Sequence, residues 1–472
     1  MTRYATLSAV LSERIRKGLY GPGDRLPSVR ALSAEHGVSV STVQQAYRQL
    51  EDEGLAVPRP KSGYFVRQSR STLALPTMTE QTQRPVDVTQ WDEVRKLIAS
   101  HPDAPGMQLG RGMPDVSSPT LRPLQRALAR QALRTDARGL CYDSIFGVTA
   151  LREHVARLAV DSGCALRADD VIITTGCHEA LSVAIRASCQ PGDVVAIDSP
   201  SFHGAMQTLK GFGMQALEIP TDPLTGISLK ALELALEKWP IKAIQLTPTC
   251  NNPLGYVMPE ANKRQLLVLA QRYDIAIIED DVYGDLAYHY PRPRTIKSMD
   301  RDGRVLLCSS FSKTLAPGLR IGWIAPGRYF DRVLHMKYIG TGATQTPAQY
   351  AIAEYLDTGR FGAHLRRMRS QYLRNRDVMS DLISTHFPAH TRLSRPEGGF
   401  MLWVAFEEGF DTIALSERLR EYDIQIAVGS IFSATGKFRH CLRMNYARAL
   451  DDRTREAVQR VGELAHDLMV HA

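Results

Sequence analysis

Lys313 and Arg320 flank Pro317 and Gly318 directly after the strand-like stretch Val305 to Cys308. A lysine at the end of a buried strand sheds its proton through desolvation and can then attack an aldehyde. An arginine fork holds a phosphate through two parallel hydrogen bonds. Capture of pyridoxal 5′-phosphate as a Schiff base makes both demands at once. The same pair also suits an ordinary basic loop at a Pro-Gly turn, so other segments must decide between the two.

Four segments with matching chemistry stand upstream. The stretch Val171 to Thr174 runs into Gly176, Cys177 and His178, which open a helix from Glu179 to Ala187. Uncommitted amides at a helix start bind phosphate, and a glycine lets the ligand approach closely. Ile197 leads to Phe202, an aromatic ring placed to stack on a pyridine. The stretch Ala243 to Leu246 is followed by Asn252, whose amide can donate to a phenolate oxygen. Ile275 to Ile278 empties into Glu279, Asp280, Asp281 and Tyr283. A carboxylate against the ring nitrogen keeps that nitrogen protonated and makes the ring an electron sink, while Tyr283 reaches the phenolate from the other side. Clustered acids at a strand end could instead hold Mg²⁺, which needs further oxygen ligands that the sequence does not supply.

These segments need a frame. Helical patterns alternate with short apolar strands beyond residue 106, which predicts a mostly parallel sheet covered by helices, with ligands at the carboxyl ends of its strands. At 472 residues the chain exceeds one small core, and its 44% hydrophobic and 23% charged content excludes wholesale disorder. The seven cysteines are scattered without a Cys-x-x-Cys pair and the 13 histidines show no ligand spacing, so reduced thiols and no metal are expected. No apolar run approaches the roughly 18 residues that cross a bilayer, and Arg3, Glu13, Arg14, Arg16 and Lys17 leave no signal core. The expectation is a cytoplasmic chain with no membrane partner.

The N-terminal segment has a different character. Residues 1–68 hold ten Lys and Arg against six Asp and Glu, half of the net charge of +8 in a seventh of the length, which favours a polyanion partner. Leu7, Val10, Leu11 and Ile15 recur at helical spacing; Pro27 and Ser28 open a second helix; Ser39 or Ser41 caps a third with Val43, Tyr47 and Leu50 on one face. Thr42, Gln44, Gln45 and Arg48 are left outward, side chains suited to a major groove. Leu55 to Val57 and Tyr64 to Val66 flank a basic, glycine-containing tip, the pattern of a wing. From Ser69 to Gln90 the composition turns to Ser, Thr, Gln and Pro, which reads as a flexible linker, with a short helix from Trp91 to Ile98 after it.

The runs PGDRLPSVRAL, GVSVSTVQQAYRQLEDEGL and KSGYFV resemble the winged helix-turn-helix of GntR-type transcription regulators. The resemblance implies that Arg30, Ser41, Thr42, Gln44, Lys61 and Gly63 contact double-stranded DNA. Val40 stands where many members carry arginine, so the DNA target is not transferable. Residues 106–472 resemble fold-type I pyridoxal-phosphate enzymes of the aminotransferase class. That likeness implies Lys313 as the covalent anchor, Asp280 on the pyridinium, and Asn252 and Tyr283 on the phenolate. It further implies Gly176, Cys177, His178, Ser310 and Arg320 on the phosphate, and Phe202 stacked on the ring. Tyr142 would reach the phosphate of a partner subunit, and Arg443 would grip a substrate carboxylate. Phe202 replaces a frequent tyrosine, Leu254 a usual threonine and Asp143 a frequent glycine, departures that bear on substrate fit.

The whole resembles the MocR subfamily of GntR regulators. It implies an α/β chain in three parts: a winged helix-turn-helix (1–68), a linker (69–105), and an aminotransferase-like domain (106–472) with a small C-terminal α+β subdomain. The implied function is a homodimeric transcription regulator that binds pyridoxal 5′-phosphate and senses a small amine or amino acid. The alternative is a working aminotransferase with an accessory DNA-binding module.

Overall fold

The computed structural model describes residues 3–21, 23–52, 54–59, 62–67, 73–78, 84–99, 106–133 and 141–470. The head comprises helices α1 (Arg3–Arg16), α2 (Val29–His36) and α3 (Val40–Asp52). Leu7, Leu11, Leu32, Val43, Tyr47 and Leu50 are buried against one another, as the helical spacing requires. Ser28 caps α2 by accepting from the Ala31 amide at 3.1 Å. Ser39, not Ser41, caps α3, its hydroxyl accepting from the Thr42 amide at 3.2 Å. Strands β1 (Ala56–Arg59) and β2 (Gly63–Val66) pair antiparallel to form the wing, with Arg59 opposite Gly63.

The body is built on eight strands: β3 (Ile172–Thr174), β4 (Val194–Ser199), β5 (Gln215–Asp222), β6 (Gly226–Ile227), β7 (Ile241–Leu246), β8 (Ala276–Asp280), β9 (Val305–Ser310) and β10 (Gly322–Ala325). Their spatial order is β3-β10-β9-β8-β7-β4-β5-β6. The neighbours from β9 to β5 are parallel, while β10 runs antiparallel to both β9 and β3. Every residue of β4, β8 and β9 is buried, the continuous burial expected of central parallel strands with both faces covered. A second sheet, β11 (Arg392–Leu393), β12 (Met401–Ala405), β13 (Ala427–Val428) and β14 (Cys441–Asn445), forms the C-terminal subdomain in the order β11-β12-β14-β13.

Polar composition suggests a flexible connector, yet its described parts are laced to the body. The Ala74 carbonyl accepts from the Leu393 amide at 2.8 Å, and Val86 exchanges two backbone hydrogen bonds with Ala216 on the edge of β5 that β6 leaves unpaired. Helix α4 (Trp91–Ala99) buries Val94 and Leu97. Sheet edges offer backbone partners to any extended segment, whatever its side chains, and this is why composition misses the docking.

Candidate functional site

The carboxyl ends of β3, β4, β7, β8 and β9 converge on one cavity of about 250 Å³. Cys177, His178, Phe202, Asn252, Asp280, Tyr283, Ser310, Lys313, Arg320 and Arg443, drawn from segments up to 266 positions apart, all line it. Gly176 opens helix α5 (Gly176–Ser188) at its edge with φ +76°. A Cβ there would stand 2.4 Å from an Arg320 guanidinium nitrogen, so the glycine lets the arginine close over the helix start. Tyr142 is 95% exposed and lies outside the cavity.

Strand alternation sorts the three acids at the end of β8. The Glu279 carboxylate accepts from the Ile296 and Lys297 amides on the face away from the cavity, and Asp281 pairs with Arg292. Asp280 alone turns inward, where its Oδ1 accepts from the Val282 amide at 3.1 Å and from the Cys177 thiol at 3.5 Å. Burial pushes Asp280 up to about 6, which leaves it ionised at neutral pH. Burial, reinforced by the Arg443 charge, pulls Lys313 down to about 8. Its amine donates to the Gly112 carbonyl at 2.7 Å.

Arg443 is 2% exposed, and burial lowers it to about 10. Its Nη1 donates to the Asn252 side-chain oxygen at 2.9 Å, its Nη2 to the Gly110 carbonyl at 2.6 Å, and its Nε has no partner. Because Asn252 thereby uses its acceptor, the amide's donor side is left for a ligand. Arg320 has the left-handed φ of +52° and donates to Thr175 and Pro317 carbonyls and the Ser312 hydroxyl. Burial, with the neighbouring Arg320 and Lys313 charges, lowers His178 below the usual histidine range.

Several lining residues escape sequence reading. Ser312 neighbours Lys313 and could have been found by adjacency, whereas Arg111, Gly112 and Met113 carry no motif and arrive through folding. Leu97 and Ile98 bring α4 to the cavity wall. His203 lines it beside Phe202, with its Nδ1 unpartnered and its basicity strongly depressed by burial. Among the described residues no group of His, Cys, Asp and Glu could hold a metal ion, and no helix is long and apolar enough to cross a membrane.

On the head, Arg30, Ser41, Gln44 and Gly63 are exposed and Thr42 is half-buried; Lys61 lies outside the described residues. Gln45 and Arg48 share the exposed side of α3. Tyr47 and Tyr64 stack at 4.2 Å behind that face and tie helix to wing.

Residues 104–461 match the family "Aminotransferase class I and II", and residues 3–66 match "Bacterial regulatory proteins, gntR family". The chain is 52% identical to YjiR of Escherichia coli (strain K12), an uncharacterised HTH-type transcriptional regulator, over 99% of this chain and 100% of that one. It is 29% identical to the HTH-type transcriptional regulator TauR of Rhodobacter capsulatus, over 90% of this chain and 88% of TauR. The body superposes with a TM-score of 0.74 and 26% identity on LysN of Thermus thermophilus, over 81% of this chain and 96% of LysN. LysN is an alpha-aminoadipate aminotransferase, solved in complex with N-(5'-phosphopyridoxyl)-L-leucine.

Proposed function

This chain belongs to the aminotransferase class I and II family and carries a gntR-family head, the MocR arrangement, and from that premise we propose that it is a transcription regulator that holds pyridoxal 5′-phosphate on Lys313 and senses a small amine or amino acid. One observation carries the ligand reading: Lys313, Arg320 and Arg443 surround a cavity whose only acidic lining residue is Asp280, and neither arginine pairs with a carboxylate among the described residues. Cations gathered around one cavity with a single acid among its described lining residues are costly, and a ligand bearing a phosphate and a carboxylate relieves that imbalance.

The donor set fits the cofactor. The amides of Gly176, Cys177 and His178 at the α5 start, with Ser310 and Arg320, would take the phosphate. Phe202 would stack on the ring, and Tyr283 and Asn252 would donate to the phenolate oxygen. Asp280, steadied by the Val282 amide and the Cys177 thiol, would hold a proton on the ring nitrogen. When bound, the cofactor supplies an aldehyde for covalent capture and an electron-withdrawing ring. A lysine near 8 carries a useful fraction of neutral amine at physiological pH. Arg443 would take an effector carboxylate on its unpartnered Nε. Tyr142 at the surface would serve the phosphate site of a second copy, in a homodimer that also pairs the heads on DNA. The effector shifts DNA binding only if it favours one arrangement of the heads over another.

The retention of Lys313, Asp280 and Arg443 in one cavity also favours the second reading, a working aminotransferase with an accessory head. The deciding experiment adds amino acids to the cofactor-loaded protein and follows absorbance and keto-acid release, alongside affinity for a duplex selected by the protein from a random pool. Stoichiometric spectral change that alters DNA affinity without keto-acid turnover supports the regulator. Absence of a Lys313-dependent visible band would refute the cofactor, and DNA affinity indifferent to both cofactor and Lys313→Ala would leave the body a dimerisation platform.

A further inference from the structure

The head is seated on the body by the long helix α6 (Phe361–His386). Arg67, directly after the wing, forms an ion pair with Asp377; the two side chains are 14% and 19% exposed. Four residues earlier on the same helix face, Leu373 presses against Gly54 so closely that a Cβ there would lie 2.1 Å from a Leu373 methyl. The adjacent face of α6 turns toward the cavity. Tyr372 packs edge-on against Phe400 at 5.3 Å, and Phe400 packs edge-on against the cavity residue Tyr283 at 5.5 Å. Arg376 donates to the Pro396 carbonyl at 2.8 Å and lies over the Tyr288 ring. Near the helix start, His364 bonds the carbonyl of Thr314, the residue after Lys313, at 2.7 Å. One helix thus stands between cavity and head, joined to the cavity wall through Tyr372 and Phe400.

The same packing leaves Arg30, Ser41, Gln44, Gln45 and Arg48 exposed. Docking on α6 therefore fixes where the DNA-reading face sits and does not cover it.

We propose that the Leu373 and Asp377 face of α6 is the docking surface for the winged head, and that α6 carries occupancy of the cavity to the head by moving as a rigid unit. This rests on the cofactor reading above. Coupling of this kind needs an element that both sites bias, and a helix gripped on two faces meets that condition.

The test uses full-length protein with spin labels at Leu19→Cys on the head and Leu224→Cys on the body, in a Cys141→Ser background, labelled chains being mixed with excess unlabelled chain. Distances are measured with and without pyridoxal 5′-phosphate in wild type, Arg67→Asp, Asp377→Arg and the double charge swap. The expected result is a narrow distribution that shifts with cofactor in wild type, is broad and unresponsive in each single reversal, and regains both properties in the swap. Single reversals that keep the wild-type distribution, or a cofactor shift equal in wild type and Asp377→Arg, would overturn the proposal. The Lys313-dependent absorbance, read on every sample, separates that failure from failure of cofactor binding. Should Asp377→Arg not fold, Arg67→Gln on the head gives the same readout.

Discussion

Lys313→Met is expected to make the cofactor-free protein more stable. The amine is pulled from 10.5 to about 8, so at pH 7 its charged form in the folded state is disfavoured by about 3 kcal/mol relative to the unfolded chain. Methionine occupies similar space without charge and forfeits the hydrogen bond to the Gly112 carbonyl at 2.7 Å. That loss is worth about 1–2 kcal/mol, which leaves a net gain of about 1–2 kcal/mol. The sign of the pH dependence follows from a depressed lysine: the penalty is absent above about pH 10.5 and grows as pH falls toward 8. The gross advantage should therefore fall by more than half between pH 7 and about pH 9.5. Urea melts of both cofactor-free proteins at the two pH values measure this directly. Saturating pyridoxal 5′-phosphate should then reverse the order, because it stabilises only a chain that binds it. A variant less stable than wild type at pH 7, or a difference indifferent to pH, would refute the claim that Lys313 is a desolvated, reactive amine.

Gly176→Ala places a methyl against the Arg320 guanidinium at a backbone φ of +76°, and should lower cofactor affinity by about tenfold or more in an equilibrium titration. Asp280→Asn removes the acid facing the ring nitrogen; the amino-acid-driven spectral change should slow by on the order of 100-fold in stopped-flow traces, with phosphate anchoring retained. Gln44→Ala on the exposed side of α3 should weaken binding to the selected duplex by about 1–3 kcal/mol in a titration, while the Lys313-dependent band stays unchanged.

Chemistry that is local can be read along the chain before any fold is known. Helix periods, the Ser28 cap, the paired wing strands and the residues at strand ends are written in spacings of a few positions, because side-chain direction along a strand or helix follows from backbone geometry alone. Asp280 could be singled out from Glu279 and Asp281 by likeness, and the pleat of β8 supplies the physical reason, turning one carboxylate inward and its neighbours away. Ser39 and Ser41 were equal candidates to cap α3, and only the helix start at Val40 chose between them. Other features exist only once distant segments pack. Gly112 under Lys313, α4 in the cavity wall, and the buried Arg443 joined to Asn252 across 191 positions have no signature in the chain. The seat of the head on Leu373 and Asp377 is of the same kind, since an ion pair and a methyl against a glycine become an interface only when folding removes them from water.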